Sequence, residues 1–271
     1  MYIRSKRGEH FDIDWVYNDG YSATSPVGLF PKAPAVHQYG LFDMAGNARE
    51  WTQDVFDQDA YNYRAFSALK NPVITATNLC TQPNCQRVVR GGSWADGCCH
   101  QQIETSAARD IRTETRGAEF ENIANDRTGF RLVCYLNPNN INAANTVAGS
   151  GNEGSILLEE YPQLPHISSI PSVQGHRLRE IPAGKFSMGT NDPSAGIAAQ
   201  PMHSVYLDRF WISSTEVTKG EYDTFTKETN YVSKTSGCYL ISDNNAISTK
   251  HSWHDPNFVQ TNDHPVVCVT W

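Results

Sequence analysis

The sequence has no long apolar run and no cluster of basic residues. No stretch approaches the roughly 18 uninterrupted apolar residues of a membrane-spanning helix, so no membrane span is predicted. With a formal net charge of −7 and no run of lysine or arginine, the chain has no basic face to replace phosphate counterions, which argues against nucleic acid as a partner. Its 271 residues, 39% of them hydrophobic, are enough to bury the core of one large or two small globular domains.

The N-terminus also lacks the apolar segment of a signal peptide, because "MYIRSKRGEH" is basic with no hydrophobic run behind it. The cysteine count is seven, an odd number. Cys80 and Cys85 bracket "TQPN" in a turn-rich stretch, which favours a small disulfide-closed loop over two incidental thiols. No second pair at metal-ligand spacing accompanies them, which disfavours zinc. We therefore expect an extracellular, periplasmic or cell-surface protein whose signal lies outside this stretch.

A low-complexity stretch divides the chain. Residues 137–155, "NPNNINAANTVAGSGNEGS", are small and polar without a hydrophobic period, and the proline-containing residues up to 175 favour extended backbone. The prediction is a linker at 137–175 between a first segment, residues 1–136, and a second segment, residues 176–271. These names are kept below.

Short β-like runs joined by Asn-, Asp- and Gly-rich loops predict a loop-dominated α+β first segment. In the second segment we expect two strands, then a helix capped by Thr215 with an apolar face at Val217, Tyr222 and Phe225. The last residues, "DHPVVCVTW", predict a strand whose residues Val266, Val267 and Val269 are buried, because an exposed β-branched run is an aggregation hazard.

Several motifs resemble one known family. "YGLFDMAGNAREWTQDVF", "RVVRGGSW", "SAARD" and "TGFRLV" are similar to the C-terminal half of the formylglycine-generating enzyme, or sulfatase-modifying factor, family. "IPAGKFSMGT", "FWISSTEVTKGEYDTF" and "HPVVCVTW" are similar to its N-terminal half. The resemblance implies a formylglycine-generating-enzyme-like, C-type-lectin-like α+β fold that is loop-rich and has little regular secondary structure.

The two halves stand in the opposite order from the family, and the central helical piece between them is missing. Three arrangements explain this order: a portion of a tandem array, a circular permutant, or subunits that complete each other by exchanging half-domains, as in a head-to-tail polymer. In each of them the residues 263–271, called the terminal run below, form an assembly seam through Val266, Val267, Val269 and Trp271. The expected partners are other copies of this chain or another protein.

The resemblance implies calcium at the turn "DMAGNARE". Asp43 and Glu50 would bind through their side chains, and Gly46 and Ala48 through their carbonyls. Such hard oxygen ligands suit calcium, which accepts irregular geometry. The alternative is that the two carboxylates only cap a turn and a short helix.

A second family calcium site maps in part onto Asp19, by side chain, and Tyr21, by carbonyl. Tyr2 and Ile3 lie near the position of its other ligands. The asparagine expected in this site is not visible in the sequence, so this assignment covers only part of the ligand set.

The family's oxidases hold copper(I) with two cysteines, two and seven residues after the aromatic residue of the "GGSW" motif. Those positions are Asp96 and Gln101 here. Cys98 and Cys99 are displaced from both positions, and adjacent side chains on an extended backbone point opposite ways. They remain the only candidate catalytic thiols, with His100 beside them, so copper is not expected. The structural alternative is that one of them pairs with Cys134 or with another chain.

The leading hypothesis is therefore a non-catalytic, calcium-stabilised extracellular structural or binding module of this family. The alternative is a copper-dependent oxidase that converts a cysteine of a partner protein to formylglycine. Arg109 and Arg131 are interpreted as architectural, placed to pair with buried carboxylates or carbonyls.

Overall fold

The structure is a computed structural model, and it describes residues 19–29, 39–64, 69–76, 80, 85–96, 111–134, 157–160, 178–233, 237–243 and 246–271. The predictions for Tyr2, Ile3, Arg109 and the group Cys98 to Gln101 fall outside these ranges.

Short strands dominate the described part of the chain, and the helices are few. The strands are β1 (Arg49–Val55), β2 (Leu69–Lys70), β3 (Pro72–Ala76), β4 (Gln86–Arg90), β5 (Gly117–Phe120), β6 (Thr128–Gly129), β7 (Val133–Cys134), β8 (Leu157–Glu160), β9 (Leu178–Ile181), β10 (Gly184–Met188), β11 (His203–Leu207), β12 (Phe210–Ser213), β13 (Cys238–Leu240) and β14 (Ala246–Ser248). The α-helices are α1 (Ala60–Arg64) and α2 (Lys219–Thr229), with 3₁₀ turns at Ile197–Ala199 and Ile241–Asp243. This is a mixed α and β architecture with short elements.

The strands form small sheets, and two of these sheets contain strands from both segments. A four-stranded sheet has the order β5-β4-β1-β6, and the two-stranded sheets are β13-β14 and β3-β8. The three-stranded sheets are β10-β11-β2 and β7-β12-β9. Because β2 and β7 belong to the first segment and β11 and β12 to the second, backbone hydrogen bonds join the segments within one chain.

The main core also lies between the segments. Val266 and Val267 are 0% exposed and Val269 is 3% exposed. They share one hydrophobic cluster with Trp51 and Val89 of the first segment. Burying this β-branched run against first-segment strands removes apolar surface from water and stabilises the pairing of the two segments.

The terminal run nevertheless does not form a strand, so the strand prediction for it is wrong. Cys268 adopts a left-handed conformation with φ 60°, which interrupts an extended ladder. Single hydrogen bonds hold the run instead: the Cys268 amide donates to Asn125 O (2.8 Å), and Trp51 Nε1 donates to Val269 O (3.2 Å). Trp271 is half-exposed, and its ring lies 3.5 Å from the Arg87 guanidinium.

Helix α2 begins later than the sequence analysis predicted. Its N-cap is Thr218 rather than Thr215, with a capping box in which Thr218 and Glu221 satisfy each other's backbone amides. Val217 is buried but precedes the helix, and its amide donates to Phe130 O (2.9 Å). The second segment is therefore fastened to the first just before α2.

Two disulfides are present. Cys80 pairs with Cys85, the loop that the sequence predicted, and Cys238 pairs with Cys268, whose pairing the sequence left open. Cys134 is a free thiol, and its suggested partners Cys98 and Cys99 lie outside the described residues. The second disulfide fixes the terminal run to β13.

Strand β8 lies inside the predicted linker and pairs antiparallel with β3. This short stretch of the linker region is thus extended along the surface of the first segment. None of the helices in the described ranges is both long and apolar enough to cross a membrane.

Candidate functional site

The turn at residues 43–48 has an unusual backbone. Asp43, Gly46 and Asn47 all have positive φ angles, of 55°, 90° and 58°. The "GGSW" turn supports it, since the Gly46 amide donates to Gly91 O and the Trp94 amide donates to Asn47 O, both at 2.8 Å. Three left-handed residues within five positions coil the chain tightly.

Asp43 is anchored at the start of this turn. Its Oδ2 accepts a hydrogen bond of 2.6 Å from the Gly28 amide. Burial raises the pKa of the Asp43 carboxyl, while the Gly28 amide and the Arg131 guanidinium act in the opposite direction. Ala48, whose carbonyl is the other predicted ligand in this turn, is 1% exposed.

Glu50 forms a bidentate ion pair with Arg131. Arg131 Nε donates to Glu50 Oε2 (2.7 Å) and Arg131 Nη2 to Glu50 Oε1 (2.6 Å). The remaining donors reach Phe42 O (2.9 Å), Ser213 O (3.2 Å) and Ser214 O (3.4 Å). Arg131 thus pairs with a buried carboxylate and with carbonyls of both segments, which confirms its predicted architectural role.

Glu216 is the residue that the sequence analysis missed. It is 0% exposed, and its carboxyl lies beside that of Asp43, where a hydrogen bond between the two side chains acts to lower the pKa of Asp43. Burial raises the pKa of Glu216 well above its usual value, and the neighbouring carboxylates of Asp43 and Glu50 raise it further. Nothing near Glu216 in the sequence announces this role, because its charged neighbours all lie in the first segment.

Asp43, Glu50, Arg131 and Glu216 together are called the seam cluster. It contains three carboxylates and one guanidinium. Burial lowers the pKa of Arg131, but Glu50, Glu216 and Asp43 outweigh this effect and raise it, so the guanidinium stays charged. Because the raised pKa of Glu216 favours its neutral carboxyl, the cluster carries less buried negative charge than its three acidic side chains suggest.

A divalent cation at the seam cluster would need ligands besides the carboxylates of Asp43, Glu50 and Glu216. Within the described ranges, no three His, Cys, Asp or Glu side chains are arranged to hold a metal ion. An ion here would also need backbone carbonyls, such as those predicted at Gly46 and Ala48, and water, which are ligands that calcium accepts. Glu50 would share its oxygens with Arg131.

The partial second calcium site shows a different arrangement. Asp19 Oδ1 accepts a hydrogen bond of 2.9 Å from the amide of Tyr21, so this pair forms a local turn. The Tyr21 ring stands edge-on to His264 at 5.7 Å. The structure does not bring further acidic ligands to Asp19 within the described ranges.

At the first copper position the structure shows a structural ion pair. Asp96 is 7% exposed and receives Arg49 Nε at 2.6 Å and Arg49 Nη2 at 2.5 Å. Its Oδ2 also accepts from the Ser93 amide (2.9 Å) and hydroxyl (2.6 Å). A hard carboxylate committed to four donors is a poor ligand for copper(I), which prefers thiolates. The copper site that the resemblance to the family implies therefore does not fit the residue at position 96, Asp96.

Comparison with known proteins places these observations in a family. The family described as "Sulfatase-modifying factor enzyme 1-like domain" matches residues 4–136 and 168–271. The chain is 31% identical over 118 residues to "Inactive C-alpha-formylglycine-generating enzyme 2" of Bos taurus, which covers 42% of this chain and 28% of that protein.

Two bacterial relatives show similar partial matches. The chain is 30% identical over 128 residues to the formylglycine-generating enzyme of Thermomonospora curvata, covering 47% of this chain and 36% of that protein. It is 32% identical over 131 residues to the serine/threonine-protein kinase pkn1 of Chlamydia caviae, covering 48% and 18%. The match therefore spans well under half the length of each of these relatives. No solved structure matches the chain. Because the family match includes both segments, the chain belongs to the sulfatase-modifying factor enzyme 1-like family.

Proposed function

We propose that this chain is a non-catalytic structural or binding module of the sulfatase-modifying-factor family, built on a C-type-lectin-like scaffold. The observation that carries the proposal is the environment of Asp96. This residue stands where the family's first copper cysteine is expected, and Arg49 and Ser93 use its carboxylate as a buried anchor. One relative is named an inactive formylglycine-generating enzyme, which makes a non-catalytic member of the family plausible on the strength of that name.

The proposal includes calcium as a stabilising ion at the turn of residues 43–48. Its support is the left-handed backbone of that turn and the oxygen ligands that Asp43, Glu50 and the carbonyls of Gly46 and Ala48 would supply. Calcium bound there would stabilise the fold by an amount that grows with the logarithm of the calcium concentration above its dissociation constant, because it binds only the folded turn. The same proposal includes a second calcium site at Asp19 and Tyr21, where only part of the ligand set is identified.

The proposal also places the protein outside the cytoplasm, in an extracellular, periplasmic or cell-surface setting. The two disulfides Cys80–Cys85 and Cys238–Cys268 support this location, because such bonds persist in oxidising compartments. Mass spectrometry after alkylation of the secreted protein would check both pairings.

The second candidate function is a copper-dependent oxidase that converts a partner's cysteine to formylglycine. The relative of Thermomonospora curvata, named formylglycine-generating enzyme, favours it. The thiols that would have to serve are Cys98 and Cys99, which lie outside the described residues together with Gln101.

Copper(I) titration followed by oxygen-consumption assays with a cysteine peptide distinguishes the two functions. We expect no stoichiometric copper binding and no turnover by the natural chain. A double variant, Cys98→Ser with Cys99→Ser, is the matched control, because it removes only the candidate thiols. Tight binding of copper with peptide oxidation, both lost in the control, would establish the oxidase and overturn the non-catalytic proposal.

We propose that copies of this chain assemble with one another by exchanging their first and second segments. The two shared sheets support it, since the first segment of one copy can offer β2 and β7 to β11 and β12 of another with the same pairing as within one chain. Light scattering should then show species heavier than one chain whose population rises with concentration. A single species with the mass of one chain at every concentration would contradict exchange and leave the non-catalytic proposal intact.

A further inference from the structure

We infer that the outer edge of β10 is a contact at which two copies of this chain pair strand to strand, related by a two-fold axis. In the described part of the chain, β10 lies at one end of the sheet β10-β11-β2, so only one of its edges is hydrogen-bonded to a neighbour. The segment exchange proposed above uses β2, at the other end of this sheet. The contact at β10 is therefore independent of that exchange and goes beyond the proposed function.

The backbone of β10 directs hydrogen-bonding groups outward at Lys185 and Ser187. The Asn71 amide donates to Tyr206 O at 2.8 Å, so the polar backbone groups of Tyr206 point toward β2. Lys185 lies opposite Tyr206 in the antiparallel ladder of β10 and β11, and its own N–H and C=O therefore point away from β11. Ser187, two residues further on, points the same way. No backbone hydrogen bond reaches either residue from another described segment on that side.

The side chains leave this edge open. Lys185, Phe186 and Ser187 are consecutive exposed residues, and 43% of Phe186 is accessible to solvent. Strand β5 also ends a sheet and carries an exposed phenylalanine, Phe120. There, however, the Ile123 amide closes a turn onto Phe120 O at 2.9 Å. An open edge with an exposed aromatic residue, as at β10, is a template for pairing with another strand.

The sequence of β10 fits a second copy of itself. When the two-fold axis passes beside Phe186, each Lys185 faces the Ser187 of the other copy. Each such pair exchanges both of its N–H···O hydrogen bonds, because the outward groups of both residues meet. The two Phe186 rings then form a cross-strand aromatic pair and cover each other's exposed surface. The exposed backbone and the exposed ring are thus satisfied by the same contact.

Charge and backbone shape disfavour the neighbouring antiparallel registers. An axis beside Lys185 would place two ammonium groups directly opposite each other, which destabilises a sheet. An axis beside Ser187 would bring Lys185 opposite Gly189, whose φ of 81° is not extended and ends the ladder. In the register centred on Phe186 the two lysines are only diagonal neighbours, about 7–8 Å apart, and salt screens their repulsion.

Ser187→Pro tests this contact. Proline removes the outward N–H, and it is tolerated on an edge strand where that N–H faces solvent. We expect the dissociation constant of the dimer, measured by sedimentation equilibrium over a range of concentrations, to rise about tenfold or more, since each pair of Lys185 with Ser187 loses one hydrogen bond. Ser187→Thr keeps the amide and is the matched control, which should associate like the natural chain.

Hydrogen exchange on the natural chain gives a second readout that needs no variant. Raising the protein concentration should slow exchange at the amides of Lys185 and Ser187 more than at the amide of Phe186, which already faces β11. Equal exchange rates at low and high concentration would overturn the inference, and this result would hold even if Ser187→Pro did not fold.

The outcomes separate this contact from the exchange of segments. Association that is lost in Ser187→Pro and kept in Ser187→Thr establishes the contact at β10. If Ser187→Pro associates as strongly as the natural chain, the heavier species form through another contact, and the inference is overturned while segment exchange stands. The inference also fails if concentrating the chain gives Lys185 and Ser187 no protection but an added peptide of alternating valine and threonine does, because the edge then takes a different partner.

Discussion

Gly129 provides a direct test of the contact between β6 and the terminal run. A Cβ added at this position would lie 2.3 Å from Val266 O and 3.9 Å from the Cβ of Ala48. A real Cβ keeps at least 3.0 Å from such an atom, so Gly129→Ala must push the terminal run away by several tenths of an ångström. The moved atom is backbone in a fully buried region, which cannot yield as a flexible side chain would.

Two opposing effects set the size of the change. Overpacking a dense core costs about 1–3 kcal/mol. Replacing glycine by alanine also removes conformational freedom from the unfolded chain, which stabilises the fold by about 0.4–1 kcal/mol. The expected net loss in the free energy of unfolding is about 1–2 kcal/mol. For a chain of about this length, that loss lowers the unfolding temperature by about 2–8 °C.

Urea unfolding followed by tryptophan fluorescence measures this difference, since Trp51 lies in the same core cluster. Gly184→Ala is the control, because an added Cβ there has no heavy atom within 4 Å. It should be neutral or slightly stabilising. If Gly129→Ala unfolds at the same urea concentration as Gly184→Ala, the terminal run does not pack on β6 in solution and the reasoning is refuted.

Three further predictions follow from other contacts. Replacing Cys238 and Cys268 by serine should lower the free energy of unfolding by about 3–4 kcal/mol in non-reducing buffer; equal urea midpoints for variant and natural chain would show that the disulfide does not form. Asp96→Asn keeps the shape of the side chain but removes the closer of the two carboxylates that Arg49 pairs with, leaving Glu119 at 3.3 Å, and should cost about 2–4 kcal/mol; Asp223→Asn, at the partner of the exposed Lys227, is the near-neutral control. Burial lowers the pKa of His264 below 6.5, so the neutral ring is favoured in the folded state. The contribution of His264 to stability should be constant well above pH 6.5, fall as the pH drops from 6.5 toward the folded pKa, and level off below it. Titration of the His264 ring by NMR checks this, and a midpoint at or above 6.5 would contradict it.

Local sequence patterns predicted the features that depend on near neighbours. The Cys80–Cys85 loop closes over five positions, and the turn around Asp43 is visible in "FDMAGNARE". The correct helix start was also available, because Thr218 is followed three residues later by Glu221, the signature of a capping box. Thr215 lacks such a partner, which is why Thr218 caps the helix instead.

The features that depend on distant residues were not predictable from a single sequence. Arg131 donates a hydrogen bond to Ser213 O across a separation of 82 positions. The charged neighbours of Glu216 all lie in the first segment. The pairing of Cys238 with Cys268, 30 positions apart, cannot be chosen by counting seven cysteines. The terminal run kept its predicted burial pattern at Val266 but not its strand geometry, because tertiary contacts place Cys268 in a left-handed conformation.

The long-range closure of the core has a consequence for the kinetics of folding. Trp51 bonds Val269 across 218 positions, Trp271 bonds Thr52 across 219, and Gln260 bonds Thr24 across 236. Contacts so far apart in the chain make folding slow. During synthesis β1 and β4 therefore emerge long before the valines that cover them, and their apolar faces stay accessible to chaperones and proteases until Val266, Val267 and Val269 have left the ribosome.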